Sequence, residues 1–276
     1  MPELPEVETF ARQIKPQVLN KKIVDFNVFE KGQRLIAPTS SDEFRNRLIG
    51  SRFLSLNRHG KFLILDLDNS WQIIAHLRMS GRFTITKAKP DKHVHNRLYV
   101  KFEDSTYLNF IDTRRFATFH LIADIKNSQS LNRLGLDALS GDWTQIRLCS
   151  VLQRHSKSIY KCLLDQSIIS GIGNIYANEA LFLSKINPDT AAQALSQASC
   201  VRLLKNIIYI LSTAINFKGT TLLDNSYIDI DGGTGEFSKL LNVYARANKQ
   251  CKVCGAIIKR KKVSGRSVFY CPKCQH

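Results

Sequence analysis

The chain has 276 residues, 43% of them hydrophobic, with forty Lys and Arg against twenty-three Asp and Glu and a formal charge of +17. That length holds one large or two medium domains with full cores, and such a charge points to a polyanionic partner, because each neutralised phosphate releases condensed counterions. No apolar run approaches the ~18 residues of a spanning helix, and no basic region followed by an apolar stretch opens the chain, so no spanning helix or secretory signal is expected and the chain reads as cytosolic.

The chain starts Met1-Pro2-Glu3-Leu4-Pro5-Glu6-Val7-Glu8-Thr9. Pro2 is small enough for Met1 to be removed, which leaves a secondary amine at the terminus. An α-amino group has a pKa of ~8 against ~10.4 for lysine, so roughly a tenth is unprotonated and nucleophilic at neutral pH. Its adduct with a carbonyl-type carbon is a cationic iminium, and Glu3 and Glu6 supply carboxylates for proton transfer nearby. On spacing alone, the plainer reading is a Glu-rich start that favours the positive end of a first helix.

Val7, Phe10, Ala11, Ile14 and Val18 recur at helical spacing and predict one amphipathic helix. Short strands follow: Val24 to Val28, Phe62 to Leu67, Trp71 to Leu77, Arg82 to Thr86, Arg97 to Phe102, Tyr107 to Ile111 and Phe116 to Ile122. Asp68-Asn69-Ser70 and Glu103-Asp104-Ser105 are turn chemistry between them. Many short strands at regular spacing favour a β-sandwich or barrel over a parallel sheet. From about Leu131 the pattern is helical, with a helix over Ile175 to Lys185 entered through Gly171-Ile172-Gly173-Asn174. A second, longer helix has its inward face marked by Val201, Leu204, Ile208, Leu211 and Ile215. Asn174 suits an N-cap, and helix N-termini also bind phosphate.

Cys251-x-x-Cys254 and Cys271-x-x-Cys274 stand sixteen residues apart. Two such knuckles complete a closed tetrahedral site, so one structural Zn²⁺ per chain is expected, with no open position for substrate. Ile257-Ile258 and Val268-Phe269-Tyr270 read as a hairpin with Lys259, Arg260, Lys261, Lys262 and Arg266 crowding its turn. The other cysteines, Cys149, Cys162 and Cys200, fit no metal spacing, and a cytosolic chain argues against disulfides.

The opening Pro2-Glu3-Leu4-Pro5-Glu6-Val7-Glu8-Thr9 resembles the start of the formamidopyrimidine-DNA glycosylases, and the likeness continues along nearly the whole chain. It includes Asp112-Thr113-Arg114-Arg115-Phe116, the run Leu163 to Glu179, and Ser264-Gly265-Arg266-Ser267-Val268-Phe269-Tyr270-Cys271. The resemblance implies an α+β fold. Its parts would be an N-terminal β-sandwich with one helix (1–130), a helical helix–two-turn–helix domain (131–248) and a four-cysteine zinc-ribbon finger (249–276). It implies Pro2 as nucleophile, Glu3 as proton carrier with Glu6 in support, and Lys61 and Arg266 at the phosphates. His93 and Asn174 would contact the DNA, and Met79, Arg114 and Phe116 would enter the duplex together. Filling the gap left by a flipped base makes physical sense of such a trio, since extrusion costs a few kcal/mol.

The function so implied is excision of oxidised purines, 8-oxoguanine and formamidopyrimidines, from duplex DNA, followed by strand cleavage at the abasic site. The protein would act as a monomer with no membrane partner. Alternatives are the sister endonuclease VIII type, which takes oxidised pyrimidines, and a non-catalytic zinc-ribbon protein that only binds nucleic acid. A ribosome-associated protein would share the charge. Departures from the family pattern are Ser156 and Tyr160, where basic residues are usual and for which Lys157 and Lys161 would substitute, and Leu223 and Asn225 in the loop expected over the flipped base.

Overall fold

The structure is a computed structural model that describes residues 2–222 and 227–276. Its chain divides into two compact units, Met1–Asn132 with Phe217–Glu236, and Arg133–Asn216 with Phe237–His276. The positions 223 and 225 lie outside the described residues.

In the first unit, α1 (Leu4–Val18) buries Val7, Phe10, Ala11, Ile14 and Val18 on one stripe, as its periodicity predicts. Two antiparallel four-stranded sheets follow. One runs in the order β1 (Ile23–Val28), β6 (Asn96–Phe102), β7 (Tyr107–Asp112), β5 (Gly81–Thr86). The other is β2 (Phe53–His59), β3 (Phe62–Leu67), β4 (Gln72–His76), β8 (Thr118–Ile122). Phe26, Phe83, Leu98, Val100 and Phe110 of the first sheet share one core with Leu56, Leu63, Leu65, Ile73 and Phe119 of the second, and with α1. The Phe83 ring meets Phe10, Phe110 and Phe119 edge-on at 6.2, 5.0 and 6.3 Å, which joins all three layers.

The sandwich has more helix than the sequence predicts. Besides α2 (Gln33–Ile36) and α4 (Gln129–Asn132), α3 spans Ser41–Leu48. It buries only Phe44 and Leu48, too few to register as a period, although Ser40 caps it by accepting from Glu43 N–H at 3.1 Å. The strand β2 also escapes prediction. Its register shifts between Phe53 and Ser55, and that bulge breaks the alternation a strand is recognised by.

The second unit is helical, with α5 (Gln145–Leu152), α6 (Ile159–Leu164), α7 (Asn174–Leu183) and α8 (Gln197–Asn216). Short parallel strands β9 (Leu136–Asp137) and β10 (Ile169–Ser170) pair, and β11 (Lys259–Val263) and β12 (Arg266–Tyr270) form a hairpin. The α8 helix is the one described helix long and apolar enough to cross a membrane. Cys200, Leu203, Leu204, Ile207, Ile210, Leu211, Ala214 and Ile215 are buried along it, which is the pattern of a core helix. The inward stripe is rotated from the one expected, and Ile208 is 41% exposed. Val201 and Ile208 lie at one edge of the apolar half of this helix, while Leu203, Ile207, Ile210 and Ala214 carry it further on the other side, so the buried stripe is centred away from the expected one. Glu179 of α7 is fully buried and accepts from the N–H groups of Asn242, Val243 and Tyr244 at 2.9, 2.8 and 2.7 Å. That carboxylate fixes the segment leading into the hairpin, a task no sequence pattern disclosed.

Candidate functional site

Pro2, Glu3, Glu6 and Lys61 all belong to the first unit, and all four are buried. Glu3 is the N-cap of α1, and Glu6 closes a capping box by accepting from Glu3 N–H at 2.7 Å. The other oxygen of Glu6 accepts from Thr220 N–H at 2.8 Å. Glu6 therefore holds the residue next to Pro2 and the 217–222 segment at once. Gly219 in that segment has φ +83°, and a Cβ there would lie 2.7 Å from the Glu6 carboxylate, so glycine is required.

Lys61 follows Gly60 at the turn between β2 and β3. Arg58 donates to Glu8 of α1 and to the Gly60 carbonyl, both at 2.9 Å, lacing the turn that carries Lys61 to the helix that begins beside Pro2. Burial alone would raise the Glu8 carboxyl, but Arg12 and Arg58 outweigh it and hold Glu8 below the usual carboxylate range.

His76, which no sequence pattern singles out, ends β4 opposite Phe62, with its ring 4.5 Å edge-on to that phenyl. Its Nδ1 accepts from Arg78 N–H at 2.9 Å. Burial first, then the charges of Arg78 and Lys61, push the imidazole down to about 3, so it is neutral at physiological pH. An unfolded histidine titrates near ~6.5, so between that value and about 3 only the unfolded chain takes the proton. Stability is then full above pH ~6.5 and falls by about 1.4 kcal/mol per unit as pH drops below it. Urea midpoints at pH ~6.5 and ~5, where carboxylates remain ionised, are expected to differ more in the parent than in His76→Gln. Equal differences would show that His76 does not carry this dependence.

Met79 and Phe116 are 38% and 42% exposed, unusual for large apolar side chains, and the Arg114 guanidinium lies 5.3 Å from the Phe116 ring centre. One buried carboxylate joins the two loops that bear them. Asp112 Oδ1 accepts from Arg114 N–H at 3.2 Å and from the Ser80 hydroxyl, while Oδ2 accepts from Ala117 N–H at 3.0 Å. Gly81 pairs with Asp112 across the sheet and cannot carry a Cβ, which would meet Leu77 O and the Phe110 ring at 2.6 Å. His93 is exposed on the loop before β6 and borders a cavity of about 200 Å³ with Lys31, Lys92 and Arg97. Its Nδ1 accepts from His95 N–H at 3.3 Å.

In the second unit, Asn174 is not the cap of α7. Gly173 is, and Asn174 is the first helical residue. Its amide bridges two elements instead, with Oδ1 accepting from the Tyr160 hydroxyl at 2.7 Å and Nδ2 donating one hydrogen to Ser267 O on β12 at 3.2 Å. Asn174 is thereby tied to the strand that begins with Arg266. A groove of about 400 Å³ runs between Lys157, Tyr160, Lys161 and Asp165 on one side and Val263, Ser264 and Arg266 on the other. Lys157 is paired with Asp165 at 2.5 Å, so it does not simply replace a missing basic residue. The hairpin turns at Ser264 and Gly265, both with positive φ, the geometry of a two-residue turn that matches strand twist. Lys259 to Lys262 lie along β11 and not at its turn, contrary to expectation, and Lys261 is drawn to Asp189.

The four cysteines Cys251, Cys254, Cys271 and Cys274 cluster with all ligand atoms within 4.8 Å of one another, the one such group of metal-binding side chains among the described residues. The Sγ atoms of Cys251 and Cys274 are 3.9 Å apart and those of Cys254 and Cys271 3.5 Å. A tetrahedron of ~2.3 Å metal–sulfur bonds puts sulfurs about 3.8 Å apart, so the donor set fits a bound metal. The N–H groups of Val253 and Cys274 point at Cys251 and Cys271 sulfurs, both at 3.4 Å, which offsets thiolate charge.

Three family models match successive parts of the chain. Residues 1–119 match the formamidopyrimidine-DNA glycosylase N-terminal domain, 134–226 the H2TH domain of that enzyme, and 248–276 the zinc finger found in FPG and IleRS. A formamidopyrimidine-DNA glycosylase of Mycoplasma pneumoniae is 36% identical over 100% of this chain and 99% of its own length, and one of Listeria monocytogenes is 34% identical over 100% of both. The Lactococcus lactis Fpg in complex with abasic-site DNA superposes with a TM-score of 0.90 at 31% identity, covering 100% of each chain. A Lactococcus lactis mutant bound to Fapy-dG DNA does so with the same score and identity. With its first and last segments and the helical unit all matched in order, the chain belongs to the formamidopyrimidine-DNA glycosylase family of DNA-repair enzymes.

Proposed function

We propose that the protein excises oxidised purines from duplex DNA and then cleaves the strand at the resulting abasic site, acting as a cytosolic monomer. The observation that carries this reading is the N-terminus itself: Pro2 is buried beside Glu3 at the start of a helix, with Glu6 holding Glu3 N–H at 2.7 Å. Relatives bound to abasic-site and Fapy-dG DNA support the substrate class.

Once Met1 is removed, the Pro2 nitrogen attacks C1′ as the bond from C1′ to the damaged base breaks, and the base leaves with a proton. The ring-opened sugar is then held to Pro2 as an iminium. That cation acidifies C2′, whose proton passes to a carboxylate, and the C3′–O bond breaks in β-elimination. In δ-elimination the C5′–O bond breaks, and water then hydrolyses the iminium, which releases the sugar fragment and restores the Pro2 amine. Glu3 carries protons at the opened sugar, Glu6 keeps it in place, and Lys61 and Arg266 act at the phosphates. Met79, Arg114 and Phe116 fill the stack vacated by the flipped base, and His93 and Asn174 bear on the backbone. By the family pattern the domains are 1–130, 131–248 and 249–276, while Phe217–Glu236 packs with the first of the two compact units. The metal held by the four cysteines is Zn²⁺, which organises the finger and takes no part in the chemistry.

The test is borohydride trapping on a duplex with 8-oxoguanine opposite cytosine, followed by mass mapping of the cross-linked peptide. An adduct on the peptide beginning at Pro2 is expected. An adduct formed only on oxidised-pyrimidine duplexes would move the protein to the endonuclease VIII type. No adduct on either, with intact zinc-dependent binding, would leave a non-catalytic binder.

A further inference from the structure

Tyr160 stands where a cation was expected, yet its side chain is 1% exposed and its hydroxyl is committed to Asn174. Asn178 Nδ2 donates to the same Asn174 oxygen at 3.0 Å. With two donors facing Oδ1, that end of the amide is fixed as acceptor and the other as donor. One Nδ2 hydrogen goes to Ser267 O, and Asn178 Oδ1 in turn accepts from Phe269 N–H at 2.6 Å. An amide nitrogen carries two hydrogens, so the second is left for a ligand. A buried phenol suits this task, because its ring is held by packing while the hydroxyl keeps a partner.

We propose that Tyr160 is the positioning residue for Asn174, orienting its remaining N–H toward a DNA phosphate oxygen in the groove bordered by Lys161 and Arg266. This rests on the reading above that Asn174 bears on the DNA backbone. Tyr160 brings no cation to the backbone and acts here through Asn174, so this contribution vanishes when that amide is absent.

A double-mutant cycle tests this, with binding measured on a duplex carrying a tetrahydrofuran site opposite cytosine. Tyr160→Phe keeps the ring and is expected to weaken binding about three- to tenfold, the net worth of one hydrogen bond. Asn174→Ala is expected to weaken it at least as much, and the double variant is expected to match Asn174→Ala within about twofold. Additive losses would overturn the positioning role while leaving Asn174 on the DNA. Unchanged binding by Asn174→Ala would overturn the backbone assignment itself. Independently of DNA, the Asn174 side-chain amide resonances of the free full-length protein are expected to shift in Tyr160→Phe. Unmoved resonances in a folded variant would refute the orientation argument.

Discussion

A protein left with one extra residue ahead of Pro2 is expected to lose base excision and strand cleavage by on the order of 10³-fold or more, the scale on which removal of a covalent nucleophile acts. The extension converts the secondary amine to an amide, whose lone pair is delocalised into the carbonyl and neither takes a proton nor attacks carbon. No side chain is altered. Lysines are poor substitutes, because well under ~0.1% of an ordinary lysine is unprotonated at neutral pH. Affinity for a tetrahydrofuran-containing duplex and the melting temperature should stay close to those of the parent, which separates lost chemistry from a disturbed helix start. Retained cleavage by the extended chain, with its N-terminus verified by mass, would remove Pro2 from the mechanism. Glu3 and Glu6 would then be a capping box and nothing more.

Removing the metal is expected to have the second largest effect. The core around the hairpin is small: Phe182, Val243, Ile258 and Phe269, with Cys251 and Cys271 as its remaining buried members. Two of six core residues are therefore metal ligands. Binding of a structural zinc is worth about 10–16 kcal/mol in isolated fingers, and there it is the folding free energy. A buried aliphatic or aromatic side chain contributes only about 1.5–3 kcal/mol, so the apolar part does not hold these strands alone. Prolonged chelation of the full-length protein, or Cys271→Ser, should release the amides of β11 and β12 to rapid hydrogen exchange. Duplex affinity should fall by a factor of about 100 or more, with exchange in the β-sandwich unaltered. Slow exchange in the metal-free hairpin would show that packing suffices, and tight DNA binding by the metal-free protein would show that the finger is dispensable.

Much of this was legible in the chain because local rules sufficed. The stripe from Val7 to Val18 needs only the 3.6-residue period, and the cysteine knuckles need only their spacing, since both ligands of each knuckle are sequence neighbours. Most strands are readable as short apolar runs bounded by turn residues, since β3, β4, β6 and β7 are buried along nearly their whole length. β2 and α3 were not, one because a bulge disturbs its alternation and the other because two buried residues make no pattern. The long helix was read correctly as a helix but with Ile208 turned inward, because Ile208 sits at the edge of its apolar face and not at the centre.

What could be read along the chain was local: a proline in second position, four cysteines in two knuckles, an excess of cations and the period of several elements. What those residues touch came from the packed fold. Asp112 tying the loops of Met79 and Arg114, Glu179 gripping the backbone from Asn242 to Tyr244, and Tyr160 holding Asn174 each join segments far apart in sequence or separated by turns. A buried carboxylate or hydroxyl must find its donors wherever the fold brings them. Such pairings follow from packed geometry, and neither spacing nor periodicity encodes them.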